Sequence, residues 1–313
     1  MNSLTSLDQV VGQKLVVEQA KVALQAAKND GTKFDHAMLV GGPGLGKTQI
    51  SQLIGNEMAD GFLEVLGQSL SSTDQLNPTL LSLATRGQRP VLFIDEAHEL
   101  PKDIQTALYL ALDQGKVVLQ GRNNSRPIGI PIGCDFTVLL ATTHEYQLLP
   151  PLRDRMKLVL RFQHYSSSEL EEISKARADA MNWRVENQAV FSSIAGRSRG
   201  TPRLALRLLQ AAYRCSRGRN GSTISVEDLE LACELDGIDS SGLGHLDRQY
   251  LLILAEGPTA LNVAASRLGI QSKTVSDCLE PYLLRTGLMY KDESTKRKLT
   301  QRGRELVESF HNA

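Results

Sequence analysis

The run Gly41-Gly42-Pro43-Gly44-Leu45-Gly46-Lys47-Thr48 constrains this chain more than any other stretch. It satisfies the spacing G-x-x-x-x-G-K-[ST]. Ahead of it, Ala37 to Val40 is an apolar run that predicts a buried strand; behind it, residues 47 to 59 predict a helix. Glycines let successive backbone N–H groups turn inward around a phosphate, and the following helix points its positive end at the same anion. Lys47 in this position reaches the β- and γ-phosphates, and the Thr48 hydroxyl is placed for Mg²⁺. A glycine-rich strand-to-helix turn with no ligand is the plain alternative. The flanking elements and a matching acidic strand downstream weigh against it.

That strand is Val91-Leu92-Phe93-Ile94-Asp95-Glu96-Ala97-His98. Four apolar residues ending in two acids describe a central parallel strand whose carboxyl end faces a ligand crevice. There Asp95 would hold Mg²⁺ through water and Glu96 would act as general base on the attacking water. Phe136 to Ala141 predicts another buried strand, with Thr142 and Thr143 at its tip able to orient that water or sense the γ-phosphate. Around these come a helix over residues 14 to 29 closed by Gly31, a weaker strand from Phe62 to Leu66, and helices over 74 to 85 and 101 to 114. Lys116 to Gln120 and Arg126 to Ile132 form the arms of a hairpin around Asn123-Asn124-Ser125. A last strand runs from Leu158 to Phe162, after Pro150-Pro151-Leu152-Arg153-Asp154-Arg155. The alternation predicts an α/β fold, a parallel sheet with helices on both faces.

After Tyr165 the pattern changes. Helices are expected over 167 to 181, 186 to 196, 201 to 216 and 225 to 235, with no strand between them. Between Gln188 and Val226 stand seven arginines and no acid. A small all-helical domain appended to such a core suggests a lid over the nucleotide. Asp236 to Gly244 looks like a linker. The rest predicts three short helices (246–255, 259–268, 272–285), a strand over Gly287 to Tyr290, a basic turn and a final helix. Thr259–Leu268 and Ser272–Leu284 have helix-turn-helix spacing, with Gly269 in the turn. The expected divisions are 1–163, 164–237 and 238–313. Formal charge is zero, 35 basic against 35 acidic residues, so nothing global marks the chain for nucleic acid or membrane. Four scattered cysteines without a C-x-x-C pair argue against a zinc site or a disulfide framework. With no leader and no long apolar run, a cytoplasmic location with reduced thiols is the expectation.

Taken together, GGPGLGKT, LFIDEAH and LLATT resemble the AAA+ ATPases. Pro151-Leu152-Arg153-Asp154-Arg155, Arg199-Gly200-Thr201-Pro202-Arg203 and Glu280-Pro281-Tyr282-Leu283-Leu284 are similar to the finger, lid and winged-helix signatures of the RuvB family, the motors of Holliday-junction branch migration. The resemblance runs from Leu7 to about Leu306. It implies an AAA+ core, a helical lid and a C-terminal winged helix, working as a homo-oligomeric ring, a hexamer, on duplex or four-way-junction DNA. It places Val10 and Val11 near the adenine. It puts Gly42, Pro43, Gly44, Leu45, Gly46, Lys47, Thr48 and Gln49 around the phosphates, and makes Thr142 or Thr143 the first sensor. Arg203 becomes the second sensor, and Tyr165 lies close to the nucleotide. Arg155 resembles the arginine finger that serves a neighbouring subunit's ATP, with Arg153 the competing candidate. Lys291, Lys296, Arg297 and Lys298 resemble the DNA-contacting wing, and Ile128, Ile130 and Ile132 in the 116–132 hairpin resemble the strip that docks a RuvA-type partner.

The chain also departs from that pattern. Ser3 and Leu4 stand where the family has Arg-Pro, and His144 where an arginine is usual. Pro127 and Pro131 are unusual in the hairpin, and the wing, Lys291 to Lys298, is longer and partly acidic. An AAA+ remodeller or loader of protein complexes that kept this body without the junction role is therefore the second reading. A nucleotide-gated DNA-binding regulator is a third, opposed by the presence of both Glu96 and Arg155.

Overall fold

The computed structural model describes residues 5–119 and 128–310. Five strands form one all-parallel sheet: β1 (Ala37–Val40), β2 (Phe62–Leu66), β3 (Val91–Asp95), β6 (Thr137–Thr142) and β7 (Leu158–Arg161), in the order β2-β3-β6-β1-β7. Between β3 and β6, Lys116–Leu119 (β4) and Ile128–Pro131 (β5) pair antiparallel as a separate hairpin. Its Asn123-Asn124-Ser125 tip lies outside the described residues.

Alternating side chains on the central strands feed two cores, one on each face of the sheet. Leu92, Ile94, Val138 and Leu140 pack with Leu76 and Leu80 of α3 (Thr73–Ser82) and with Ile104 and Leu108 of α4 (Lys102–Gln114). Phe93, Leu139 and Ala141 pack with Val16, Ala20 and Leu24 of α1 (Lys14–Asp30) and with Ile50, Leu53 and Ile54 of α2 (Lys47–Met58). The expected architecture, helices on both faces of a parallel sheet, is what the chain forms. Gly31, at φ 62°, closes α1 with its N–H on Ala27 O and Lys28 O.

The chain divides into two compact units, one holding residues up to Ile173 together with Thr201–Arg203, the other Ser174–Gly200 and everything from Leu204 onward. In the second unit α7 (Gln188–Arg197), α8 (Pro202–Gly218) and α9 (Val226–Leu235) follow the end of α6 (Ser167–Ala180). They are not strand-free as expected. Arg184–Val185 (β8) and Thr223–Ile224 (β9) pair in parallel, two residues each, too short to leave a period in the sequence. Next come α10 (His245–Ala255) and α11 (Leu261–Leu268), with Gly269 at φ 69° in the turn as expected. The expected 272–285 helix is three pieces: α12 (Ser272–Thr274), a π-helical turn over Val275–Leu279, and α13 (Glu280–Arg285). The "basic turn" contains a strand: β10 (Met289–Lys291) pairs antiparallel with β11 (Arg297–Leu299) to make a wing, before α14 (Gln301–Ser309). Tyr250, Leu251, Ala264, Val275, Leu283 and Leu299 form the core of this winged helix. Among the described residues no helix is long and apolar enough to cross a membrane.

Candidate nucleotide site

The loop after β1 has the backbone its glycines permit. Gly44 (φ 75°) and Gly46 (φ 96°) are left-handed, and a Cβ on Gly44 would lie 2.8 Å from the Arg203 Cβ. Pro43 is exposed, while Leu45 is buried in the core beneath. Lys47, at the first position of α2, is 6% exposed, and its Nζ donates to Gly41 O (2.8 Å) and Gly42 O (2.9 Å). Burial lowers its pKa, and the charges of Glu96 and Asp95 oppose that shift. A buried ammonium hydrogen-bonded to carbonyl oxygens, under a left-handed glycine loop at a helix N-terminus, fits an anionic phosphate.

Thr48 and Asp95 come together as expected: Thr48 Oγ1 donates to Asp95 Oδ2 at 3.3 Å. A hydroxyl beside a carboxylate is the hard-oxygen donor set that suits Mg²⁺. Gln49 is exposed beside them. Asp95 Oδ1 accepts from Glu96 N at 2.9 Å. Glu96 has a left-handed backbone (φ 48°), and its Oε2 is shielded from solvent without a hydrogen bond of good geometry. His98 Nδ1 is nevertheless 3.4 Å from that oxygen, an ion-pair distance rather than an aligned hydrogen bond. Thr142 is fully buried; its Oγ1 accepts from His144 N (3.0 Å) and lies 3.2 Å from His98 Nδ1. Thr143 Oγ1 lies 2.7 Å from His144 Nδ1.

Val10 and Val11, expected near the adenine, are half-buried, Val10 against the core. Tyr165 donates its hydroxyl to Leu45 O at 3.1 Å, and burial raises its pKa. Gly12 (φ 72°) passes so close that a Cβ would sit 2.7 Å from the Tyr165 ring. Gln13 grips the backbone of Gln163 in both directions, donating to its O (2.7 Å) and accepting from its N (3.1 Å). A recess of about 220 Å³ opens between Gln13, Arg161, His164, Tyr165 and Glu169.

The two finger candidates differ. Arg155 makes a two-point ion pair with Asp113 of α4, donates Nη1 to Pro151 O (2.8 Å) and lies over the Tyr109 ring. Arg153 lies over the Tyr146 ring, its Nε buried without a hydrogen-bond partner. Arg203 is exposed.

The four basic residues of the wing stand in different surroundings. Arg297 is 7% exposed, and its Nε donates to Glu280 Oε1 at 2.7 Å. Lys291 Nζ pairs with Glu280 Oε2 at 2.8 Å, and Lys298 with Asp292 at 2.9 Å. Only Lys296 of the four is exposed without an ion pair among the described residues. Arg297 is therefore held inward against Glu280. The isoleucine strip is graded rather than uniform: Ile128 is 62% exposed, Ile130 packs on the core and Ile132 is buried.

Sequence reasoning passed over three residues that the structure brings to the site: Gln13, Asp113 and His98. For His98 a signal existed, since it closes the same acidic strand-end run as Asp95 and Glu96.

A phosphate loop and a hydroxyl–carboxylate pair, with Glu96 next to that carboxylate at the end of β3, define a P-loop ATPase, in a chain that continues into a helical lid and a winged helix. Residues 4–162 match the family model for the Holliday junction DNA helicase RuvB P-loop domain, 165–239 the RuvB AAA lid domain, and 240–308 the RuvB C-terminal winged helix domain. The branch migration complex subunit RuvB of Thermotoga maritima is 36% identical over 98% of this chain and 90% of its own. That of Ligilactobacillus salivarius is 34% identical over 96% and 87%. The solved structure of T. maritima RuvB, described as the Holliday junction branch migration motor, superposes with a TM-score of 0.82 at 32% identity, covering 98% of both chains. The chain belongs to the RuvB family.

Proposed function

We propose that this protein hydrolyses ATP in a homo-oligomeric ring, a hexamer, to translocate duplex DNA, driving branch migration at four-way junctions in the cytoplasm. The observation that carries this reading is the convergence of Lys47, the Thr48–Asp95 pair and Glu96 in one site, in a chain matched from end to end by one motor family. Lys47 exchanges its two loop carbonyls for the β- and γ-phosphates. Thr48 and Asp95 would hold Mg²⁺, which would supply positive charge against the phosphate oxygens. Glu96 takes the proton of a water whose oxygen bonds the γ-phosphorus as the bridging bond to ADP breaks. Thr142 or Thr143 sets the position of that water, Arg203 reports the γ-phosphate from the same subunit, and Arg155 reaches a neighbour's nucleotide. The exposed apolar residues of the hairpin, Val118, Leu119 and Ile128, suit docking of a RuvA-type partner.

One observation favours a second reading, a remodeller of protein complexes: the internally paired wing offers DNA a single unpaired base out of four. ATPase and branch-migration assays on a four-way junction, with and without a RuvA-type partner, separate the two. DNA-stimulated turnover with strand exchange supports the motor. Turnover stimulated by protein alone, with no branch migration, overturns it.

A further inference from the structure

A pair of imidazoles stands beside Glu96. His98 is held with its side chain 8% exposed, and its ring meets that of His144 at a centroid distance of 4.7 Å and 53° between planes. One ring atom, Nδ1, faces two acceptors on different strands' ends: Thr142 Oγ1 at 3.2 Å and Glu96 Oε2 at 3.4 Å. The other nitrogen, Nε2, lies 3.5 Å from Glu99 Oε1. His144 is fixed in turn by Thr143, through its Nδ1, and by its backbone N–H on Thr142.

Glu96 needs such a partner. Its backbone is pinned in a left-handed conformation, and Gly67 is packed against it so closely that a Cβ there would lie 2.5 Å from Glu96 O. The peptide is fixed, yet the carboxylate oxygen turned away from solvent has no well-aligned donor. A buried carboxylate oxygen without a donor is costly, and His98 Nδ1 is the nitrogen placed to answer it. A neutral imidazole carries one N–H, so the tautomer decides which acceptor can be served.

We infer that His98 is a positioning residue for hydrolysis: as the Nδ1–H tautomer it donates to Glu96 and ties the base to Thr142, while His144 packs on its ring and prevents it from swinging away. The inference rests on Glu96 being the general base, as proposed above. Because it works through Glu96 and Thr142, His98 acts on the chemical step and not on affinity.

Asparagine and glutamine separate the two ring nitrogens, because an Asn amide nitrogen falls near Nδ1 and a Gln amide nitrogen near Nε2. His98→Ala and His98→Gln are expected to lose turnover about ten- to a hundredfold, the scale of a slightly misplaced catalytic group. His98→Asn should recover most of it. KM for ATP and nucleotide affinity, measured by fluorescence of a labelled nucleotide, should stay at the wild-type value in all three. His144→Ala should lose less than His98→Ala. Independently of any turnover, nitrogen-15 spectra of the nucleotide-free wild-type protein should show His98 as the Nδ1–H tautomer. The Nε2–H form there, or equal loss in the Asn and Gln variants, overturns the inference, as does a change confined to KM. Glu96→Gln distinguishes the failures: if that variant turns over normally the base is wrong, whereas if it is inactive and His98→Ala is not, only the role of His98 is wrong.

Discussion

Arg155 and Asp113 face each other with two parallel hydrogen bonds, Nε to Oδ1 at 2.9 Å and Nη2 to Oδ2 at 2.6 Å. The guanidinium beside it lowers the Asp113 carboxyl, and the same bond raises Arg155. In the proposed role this arginine must leave Asp113 to meet a neighbour's nucleotide, so the pair is a resting place. An exposed pair of this kind contributes little to stability, which leaves the arm free to move.

Arg155→Ala is therefore expected to lower turnover on the order of a thousandfold, the effect of removing an arginine finger. Mixing it with Lys47→Ala should restore part of the activity, because each variant supplies what the other lacks at a shared interface. Asp113→Asn should keep or raise wild-type turnover, since it only releases the arm. If the mixture co-assembles on a sizing column yet shows no recovery, Arg155 does not act across subunits. Recovery of the same kind with Arg153→Ala would transfer the role to that residue.

Lys47 is the anchor of the phosphate loop, and its two carbonyl partners already sit where a phosphate would be received. Replacing it by alanine removes a charge-assisted contact from a site where water is a poor substitute. Nucleotide affinity should fall about a hundredfold or more, from roughly 3 kcal/mol for such a bond. Calorimetric titration with ATP checks this, and an affinity within a few-fold of wild type defeats the phosphate-loop assignment.

Glu96→Gln tests binding against chemistry. The amide keeps the shape but cannot take a proton, so ATP should stay bound while turnover drops about a hundredfold or more. Ring assemblies trapped by ATP should then persist longer in sizing experiments. Loss of ATP binding in this variant would instead give Glu96 a structural task.

How far the sequence reaches depends on how local the cause is. The phosphate loop was legible because glycine, lysine and threonine act within eight consecutive residues, and β3 because four apolar residues in a row demand burial on both faces. The four long helices of the core were legible, α1 from its apolar periodicity, whereas the short helix Pro150–Arg153 was not. What could not be read was pairing over distance. Nothing in the string shows that Glu280 turns inward to meet Lys291 and Arg297, or that Asp113 is the acid Arg155 finds. The two-residue strands β8 and β9 carry no alternation, and the π turn at Val275–Leu279 looks like ordinary helix. His98 lay inside a motif already recognised, but its two acceptors belong to β6 and to the acidic turn, which only the sheet order brings together.

The wing gives the sharpest contrast between residues of the same charge. Glu280 is fully buried and accepts from the Tyr250 hydroxyl (2.9 Å) as well as from Arg297 and Lys291. Burial pushes its pKa up, but the hydrogen bonds from Arg297, Lys291 and Tyr250 outweigh that and leave it lowered. Removing Arg297 leaves the buried Glu280 with Lys291 and Tyr250 alone to answer its charge, so Arg297→Ala should destabilise the protein by up to about 3 kcal/mol. Lys296→Ala should leave the melting temperature unchanged, because that side chain is exposed and pairs with no acid among the described residues. On DNA the order reverses. Each phosphate contact removed lowers the slope of log affinity against log salt by about one, so Lys296→Ala should flatten it by that amount for every sequence tested. The conservative Arg297→Lys keeps a charge against Glu280 and should leave the slope alone. Thermal melts and salt-dependent binding to duplex DNA read both effects. A stable Arg297→Ala protein whose salt slope falls by one would show that Arg297 turns outward to DNA, and an unchanged slope in Lys296→Ala would remove the wing from the DNA contact and favour the protein-remodelling reading.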